Sequence, residues 1–182
     1  MKYYLVALFD DESYKQIETI QKNFSKKSRS YKNFPLPHIT LEIVEDPDME
    51  KLDTLLTKII KPYKRFKVEL KDIINFSEPN KSVNLRVEKK GYISRLSRNI
   101  NDTLKLHGFS VKNCIETFGL NVSLTSTNIT QKEWKKNEFE AAFSSARIQE
   151  FYDMGKIDRI EIWKSANNKK EVIVKSYKLK TH

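Results

Sequence analysis

The sequence predicts a layered domain of strands and helices, α+β or α/β. Three observations carry that expectation. Segments with strand-like and helix-like apolar spacing alternate along the 182 residues. No long linker or low-complexity tract interrupts them, so residues 1–182 read as a single domain. A short pattern also occurs twice, as Pro37-His38-Ile39-Thr40-Leu41 and as Leu120-Asn121-Val122-Ser123-Leu124, which suggests two similar lobes.

The elements follow in order. Residues 2–9 are apolar and read as a strand. Asp10, Asp11 and Glu12 then supply negative charge for a helix start, and Tyr14, Ile17, Ile20 and Phe24 recur at helical spacing over about 12–26. Residues 25–37 form a basic, aromatic loop closed by Pro35 and Pro37, and a strand follows at 38–44. Asp46-Pro47-Asp48 opens a second helix, with proline tolerated in its first turn and an apolar stripe of Met49, Leu52, Leu55, Leu56, Ile59 and Ile60. Strands are expected at 64–76 and 82–88, joined by a turn at Glu78-Pro79-Asn80. In the second, Val83, Leu85 and Val87 alternate with polar residues.

A third helix spans about 91–106, with Ile93, Leu96, Ile100 and Leu104 on one side and His107-Gly108 ending it. Strands are expected at 109–115 and 120–126. Thr130 and Glu133 fit a capping box for a helix of about 131–142. Strands at 156–164 and 171–178 close the chain as a hairpin across Ala166-Asn167-Asn168.

Composition removes whole classes of function. The four glycines, at 91, 108, 119 and 155, are too far apart for a phosphate-cradling glycine loop of the P-loop or dinucleotide-binding kind. Cys114 is alone, so neither an internal disulfide nor a cysteine zinc cluster can form. His38, His107 and His182 are widely spaced, and no metal centre or other cofactor is expected. No stretch approaches the ~18 apolar residues of a membrane span. The apolar opening is cut short at Asp10, so no signal peptide is read and a cytoplasmic location is expected. The net charge of +10, from 34 basic and 24 acidic residues, suits a phosphate-bearing partner. All but seven of the basic residues are lysine, which is equally compatible with simple solubility.

The repeated pattern carries the chemistry. Alternate side chains of a strand share a face, so Ile39, Leu41 and Ile43 are expected in the core while His38, Thr40 and Glu42 face the other way. In the second copy Leu120, Val122 and Leu124 go to the core and Asn121, Ser123 and Thr125 share the opposite face. Two strands thus present His-x-Thr and Asn-x-Ser. An imidazole exchanges protons near pH 7, and a hydroxyl two residues along can donate to a phosphoryl oxygen. His38, Thr40, Asn121 and Ser123 are therefore the candidate catalytic set. A histidine and a threonine that merely suit a strand would look the same locally.

These residues resemble the motifs of the two-histidine phosphoesterase superfamily, the group that includes bacterial 2'-5' RNA ligase-like proteins and RNA 2',3'-cyclic phosphodiesterases. That family carries two His-x-Thr/Ser motifs, each on a strand. His38-Ile39-Thr40-Leu41 matches the first fully, and Asn121-Val122-Ser123-Leu124 matches the second except at its histidine. The order of elements matches over nearly the whole chain. The resemblance implies a two-lobed α+β fold, with largely antiparallel sheets around a central polar cleft and helices packed outside, and metal-independent acid–base chemistry on RNA ends, cyclic phosphates or 2'-5'-linked nucleotides. His38 would be an acid–base group, and Thr40 and Ser123 would be phosphate ligands.

Asn121 departs from the pattern, because a carboxamide donates hydrogen bonds but does not exchange protons near pH 7. Three accounts stay open: a protein that binds RNA or a nucleotide without efficient turnover, a one-histidine reaction on a strained cyclic phosphate, or a substitution introduced to silence catalysis. The loop before the first motif supplies Arg29, Tyr31, Lys32 and Phe34 as candidate substrate-binding residues, cations for phosphate and rings for stacking. Arg86 is a weaker candidate for a phosphate contact. Phe118, Trp134 and Trp163 are expected to pack, and His107 to favour a helix end. The partner expected is RNA or a nucleotide, bound by a monomer.

Overall fold

The computed structural model describes residues 1–28, 36–76, 82–126, 152–164 and 172–181. The expected helix at 131–142, the turns at 78–80 and 166–168, and Arg29, Tyr31, Lys32, Phe34, Trp134 and His182 lie outside the described residues. Among the described residues the elements run in the order β1 (Lys2–Phe9), α1 (Asp11–Ser28), β2 (His38–Glu45), α2 (Met49–Ile60), β3 (Phe66–Phe76), β4 (Ser82–Val87), α3 (Gly91–Leu106), β5 (Ser110–Val111), α4 (Cys114–Thr117), β6 (Asn121–Ser126), β7 (Tyr152–Lys164) and β8 (Val172–Lys178).

The strands pair antiparallel in the order β1-β2-β6-β4-β3-β7, and β7 pairs in turn with β1. The ladder therefore closes on itself. Strand β8 adds to β7, and the two-residue β5 adds to β2. Alternation assigns the two faces of this ring. Leu5 and Ala7 of β1, Ile39 and Leu41 of β2, Val83 and Leu85 of β4, Val122 and Leu124 of β6, and Ile160 and Ile162 of β7 are all buried in one cluster. Against them pack Ile17 of α1, Leu52 and Leu56 of α2, and Ile93, Leu96, Ile100 and Leu104 of α3. Burying a side chain of this kind stabilises the fold by about 1.5–3 kcal/mol. A smaller cluster of Val6, Leu8 and Trp163 lies apart from it.

Local chemistry explains the helix ends. Asp48 caps α2 by accepting from the backbone N–H groups of Glu50 and Lys51, both at 3.1 Å. The end of α3 is followed by Gly108 at φ +82°, a left-handed conformation that glycine adopts without steric cost. Asp53 of α2 accepts from the Tyr177 hydroxyl at 2.7 Å and from Lys175 at 3.1 Å, tying that helix to β8. Among the described residues no helix is long and apolar enough to cross a membrane.

The structure corrects four expectations, one of them that Ile43 lies in the core: it is only half-buried, and Val44 takes its place there. The strand predicted over 109–115 is only Ser110–Val111. Asn113 then turns left-handed at φ +56°, and Cys114–Thr117 forms a helical turn that buries Cys114 and Ile115. Phe118 is 50% exposed, so it is not a core residue. Glu42 does not share a face with His38 and Thr40. A bulge sets Val6 opposite Thr40 but the adjacent Leu5 opposite Glu42, so one extra residue, Leu41, lies between the paired positions. Glu42 therefore turns to the helix side, where it is fully buried.

There its carboxylate accepts from Asn101 Nδ2 at 2.6 Å, from the Ile43 N–H at 2.9 Å and from the Lys112 N–H at 3.0 Å. Ser97 Oγ donates to the Leu41 carbonyl at 3.2 Å, satisfying the bulged backbone. Glu42→Ala would leave the buried Asn101 amide without its carboxylate acceptor and open a cavity beside it, although the Lys112 N–H keeps the Ile43 carbonyl at 3.1 Å. It is expected to cost about 3 kcal/mol, a fall in Tm of roughly 6–12 °C for a chain of this size, read by urea and thermal unfolding. A loss below about 0.5 kcal/mol would contradict the account. Burial, and Glu42 beside it, push the Cys114 thiol up to about 12, so it stays protonated and unreactive.

Candidate functional site

The two motif strands lie side by side. Strands β2 and β6 register on Ile39 opposite Val122, both fully buried in the core. Counting outward along an antiparallel pair sets His38 opposite Ser123 and Thr40 opposite Asn121, on the face away from the helices. Four side chains from residues far apart in sequence thus share one patch. His38 and Asn121 stand at opposite corners, as do Thr40 and Ser123.

The neighbouring strands extend this patch into two rows. Leu8 of β1 is paired with His38, and Asn84 of β4 with Ser123. Val6 is paired with Thr40, and Arg86 with Asn121. Arg86, a weaker candidate by sequence, therefore stands beside the motif. Its guanidinium is held by Asp72 at 2.6 Å and Glu88 at 3.4 Å.

His38 is fixed from two directions. Its Nδ1 lies 2.7 Å from the Leu36 carbonyl oxygen, which can only accept, so Nδ1 carries the proton and Nε2 is the basic atom of the neutral ring. Trp163 packs edge-on against the imidazole, with ring centroids 4.6 Å apart at 61°. Trp163 is only 4% exposed, and its indole N–H donates to Glu161 at 2.7 Å. Glu161 is itself buried, accepting from Arg159 Nε at 2.9 Å and from Ser176 Oγ at 3.4 Å. The expectation that Trp163 packs holds, but what it packs against is the histidine of the first motif. The signal was the alternation of Arg159, Glu161 and Trp163 with Ile160 and Ile162.

Burial lowers the pKa of His38 below the ordinary 6.5, and the bond to Leu36 opposes that shift only in part. The ring is thus neutral near pH 7 and ready to accept a proton. An NMR titration of the imidazole is expected to give a midpoint below 6.5, and a midpoint at or above 6.5 would contradict the environment described. The sign for stability follows from the same shift. The unfolded chain binds this proton more readily than the folded one, so the His38 contribution declines as pH falls below about 6.5.

The other predicted residues fall elsewhere. His107 ends α3 with its Nδ1 2.8 Å from the Thr103 carbonyl oxygen, as a helix-end histidine should. Among the described residues no group of three His, Cys, Asp or Glu side chains stands together to hold a metal ion.

Comparisons with known proteins bear on the fold and the family. A family model described as the 2'-5' RNA ligase superfamily matches residues 9–168. A search of curated proteins finds no match. Among solved structures, the protein TT0787 of Thermus thermophilus is similar with a TM-score of 0.66 at 13% identity, covering 100% of this chain and 99% of that one. A structure described only as a phosphoesterase gives 0.63 at 13% identity, covering 99% of each chain. E. coli LigT complexed with 3'-AMP gives 0.62 at 12% identity, covering 98% of this chain and 97% of that one. At such identities the structures speak for the fold, and the family model speaks for descent. The chain belongs to the 2'-5' RNA ligase superfamily.

Proposed function

We propose that the chain is a phosphoesterase of the two-histidine type. It would act on RNA ends, nucleoside cyclic phosphates or 2'-5'-linked nucleotides, without a metal, and with turnover limited by Asn121. The reading takes residues 1–182 as one two-lobed domain whose motifs at 38–41 and 121–124 meet in the cleft. The observation that supports it best is the register of Ile39 on Val122, which gathers His38, Thr40, Asn121 and Ser123 on one face. The 3'-AMP held by LigT fits a site that accepts a nucleotide phosphate.

The proposed substrate for the simplest case is a nucleoside cyclic phosphate. The phosphoryl oxygens accept hydrogen bonds from the Thr40 and Ser123 hydroxyls. Nε2 of His38 takes a proton from water as the water oxygen bonds to phosphorus. The bond from phosphorus to one ribose oxygen breaks, and a terminal phosphomonoester remains. Asn121 can hydrogen-bond the departing oxygen but cannot protonate it, so that proton comes from solvent. Strain in the five-membered ring lowers the demand on the missing acid.

The test is turnover of a nucleoside 2',3'-cyclic phosphate and of a short 2'-5'-linked oligonucleotide in the presence of a chelator. Slow, chelator-resistant hydrolysis is expected. One observation favours a second reading, a nucleotide- or RNA-binding protein without catalysis: the asparagine itself. Tight binding of both compounds with no turnover would select it, and neither binding nor turnover would remove both readings.

A further inference from the structure

A cavity lies on the helix side of the sheet, away from the cleft. Its volume is about 630 Å³, and it sits between the connection from α2 to β3 and the first turns of α3. Cavities of roughly 300–1,000 Å³ suit a small organic ligand. Pro62, Tyr63, Lys64, Arg65 and Phe66 line one side, and Tyr92, Arg95 and Asn99 the other. The last three lie at helical spacing on α3, beside its core stripe of Ile93, Leu96 and Ile100.

Two features need explaining. The first is an uncompensated cluster of cations. None of Lys64, Arg65 and Arg95 joins an ion pair among the described residues, whereas Arg86, Lys90 and Arg159 each meet a carboxylate. Arg65 also has its Nε buried without a hydrogen-bond partner, a state that costs about 1–3 kcal/mol or more and that native proteins rarely leave unanswered. The second is an aromatic corner. Tyr92 is 58% exposed, yet its ring stands 6.4 Å from that of Tyr63 and 5.9 Å from that of Phe66. The Arg95 guanidinium sits 5.9 Å from the Tyr92 ring centroid.

We infer that this cavity is a second binding site, for a nucleoside phosphate, either free or as one unit of an RNA strand. The cations of Lys64, Arg65 and Arg95 line the cavity and offer charge to the phosphate. The exposed Tyr92 ring offers a stacking surface to a base, and Asn99 can both donate to and accept from a base edge. An apolar ligand would leave the cations unanswered, and an inorganic anion would leave the rings unused. The site is independent of the cleft: it needs no proton transfer and uses none of the motif residues.

The experiment is calorimetric titration of the full chain with AMP, alongside anisotropy with a labelled single-stranded RNA. Both are run on a Thr40→Ala/Ser123→Ala background, which removes the hydroxyls assigned to phosphate in the cleft, and on that background with Tyr92→Ala or Arg95→Ala. Both substitutions lie on the exposed rim of the cavity, and coincident thermal melts would verify the fold. Removing one base–ring contact is expected to weaken binding about 5- to 100-fold. Weakening with both ligands assigns the site to a nucleotide in general, and weakening with RNA alone assigns it to a strand. In either case, added AMP or RNA should shift the backbone amide signals of Tyr92, Arg95 and Asn99 in the unsubstituted chain. Undiminished affinity in both variants, or no binding of either ligand to the background chain, would overturn the proposal. The turnover assay alone decides the cleft reading, so the two fail separately.

Discussion

Replacing His38 by alanine is expected to lower turnover of a nucleoside 2',3'-cyclic phosphate by about 10² to 10⁴, or roughly 2.7–5.5 kcal/mol of barrier. The reason lies in the ring's surroundings. Its Nδ1 is committed to the Leu36 carbonyl and its flank to Trp163, so the one atom left for chemistry is Nε2. No other described imidazole shares that face, because His107 is spent at the end of α3. Removing the ring also unpacks Trp163, so a fall in rate must be separated from a fall in stability. His38→Asn keeps a donor for the Leu36 carbonyl, and it should lose turnover as fully as alanine while unfolding closer to the wild type. The pH profile gives an independent check. With His38 present, kcat/KM should fall on the acid side only below pH 6.5, since burial holds the pKa down. That limb should vanish in the variants. An alanine variant that kept its turnover and its acid limb would remove His38 from the chemistry.

The second large effect runs the other way. Asn121→His is expected to raise turnover by about 10² or more, as a restored general acid would. Position 121 is opposite Thr40 and diagonal to His38, so an imidazole there would face the phosphate from the far corner of the patch. Its strand neighbour Arg86 is already engaged by Asp72 and Glu88, which limits how far a second cation beside it would be repelled. The gain should be largest on 2'-5'-linked substrates, whose unstrained leaving oxygen needs a proton most. A histidine that left both substrates unaffected would mean that something other than the missing acid limits the reaction.

Much of this is legible in the amino-acid sequence. Strand β1 and helices α2 and α3 follow directly from apolar spacing and from Asp48 and Gly108, because those signals are local. The motif faces were equally legible, since His38 and Thr40 alternate with Ile39 and Leu41. The misreadings share a cause. Ile39, Leu41 and Ile43 continue an unbroken alternation, so nothing in β2 itself announces a bulge. Its position is set by how β1 pairs across it, and this is what sends Glu42 to α3. Strand β7 begins at Tyr152, earlier than the expected 156, because residues 152–157 are held by β3 rather than by their own alternation. Gly155 belongs to that stretch for a reason invisible in sequence: a Cβ there would stand 2.6 Å from the Phe9 ring. Arg86 and Trp163 reach the site for the same kind of reason, because pairing across strands brings them there.

The closed ladder also bears on how the chain is made. Strand β1 leaves the ribosome well before its partners, and one of its two edges is covered only by residues 157–164. Strand β3 waits for residues 152–157 of the same segment. Until that stretch is synthesised, two apolar strands carry unpaired backbone groups, a state prone to pairing with a neighbouring chain. The ring therefore cannot lock until translation has passed β7, and cooperative folding is set late. A ribosome-bound chain stalled before residue 152 should remain protease-sensitive along β1, whereas one stalled with residue 164 well clear of the exit tunnel should resist.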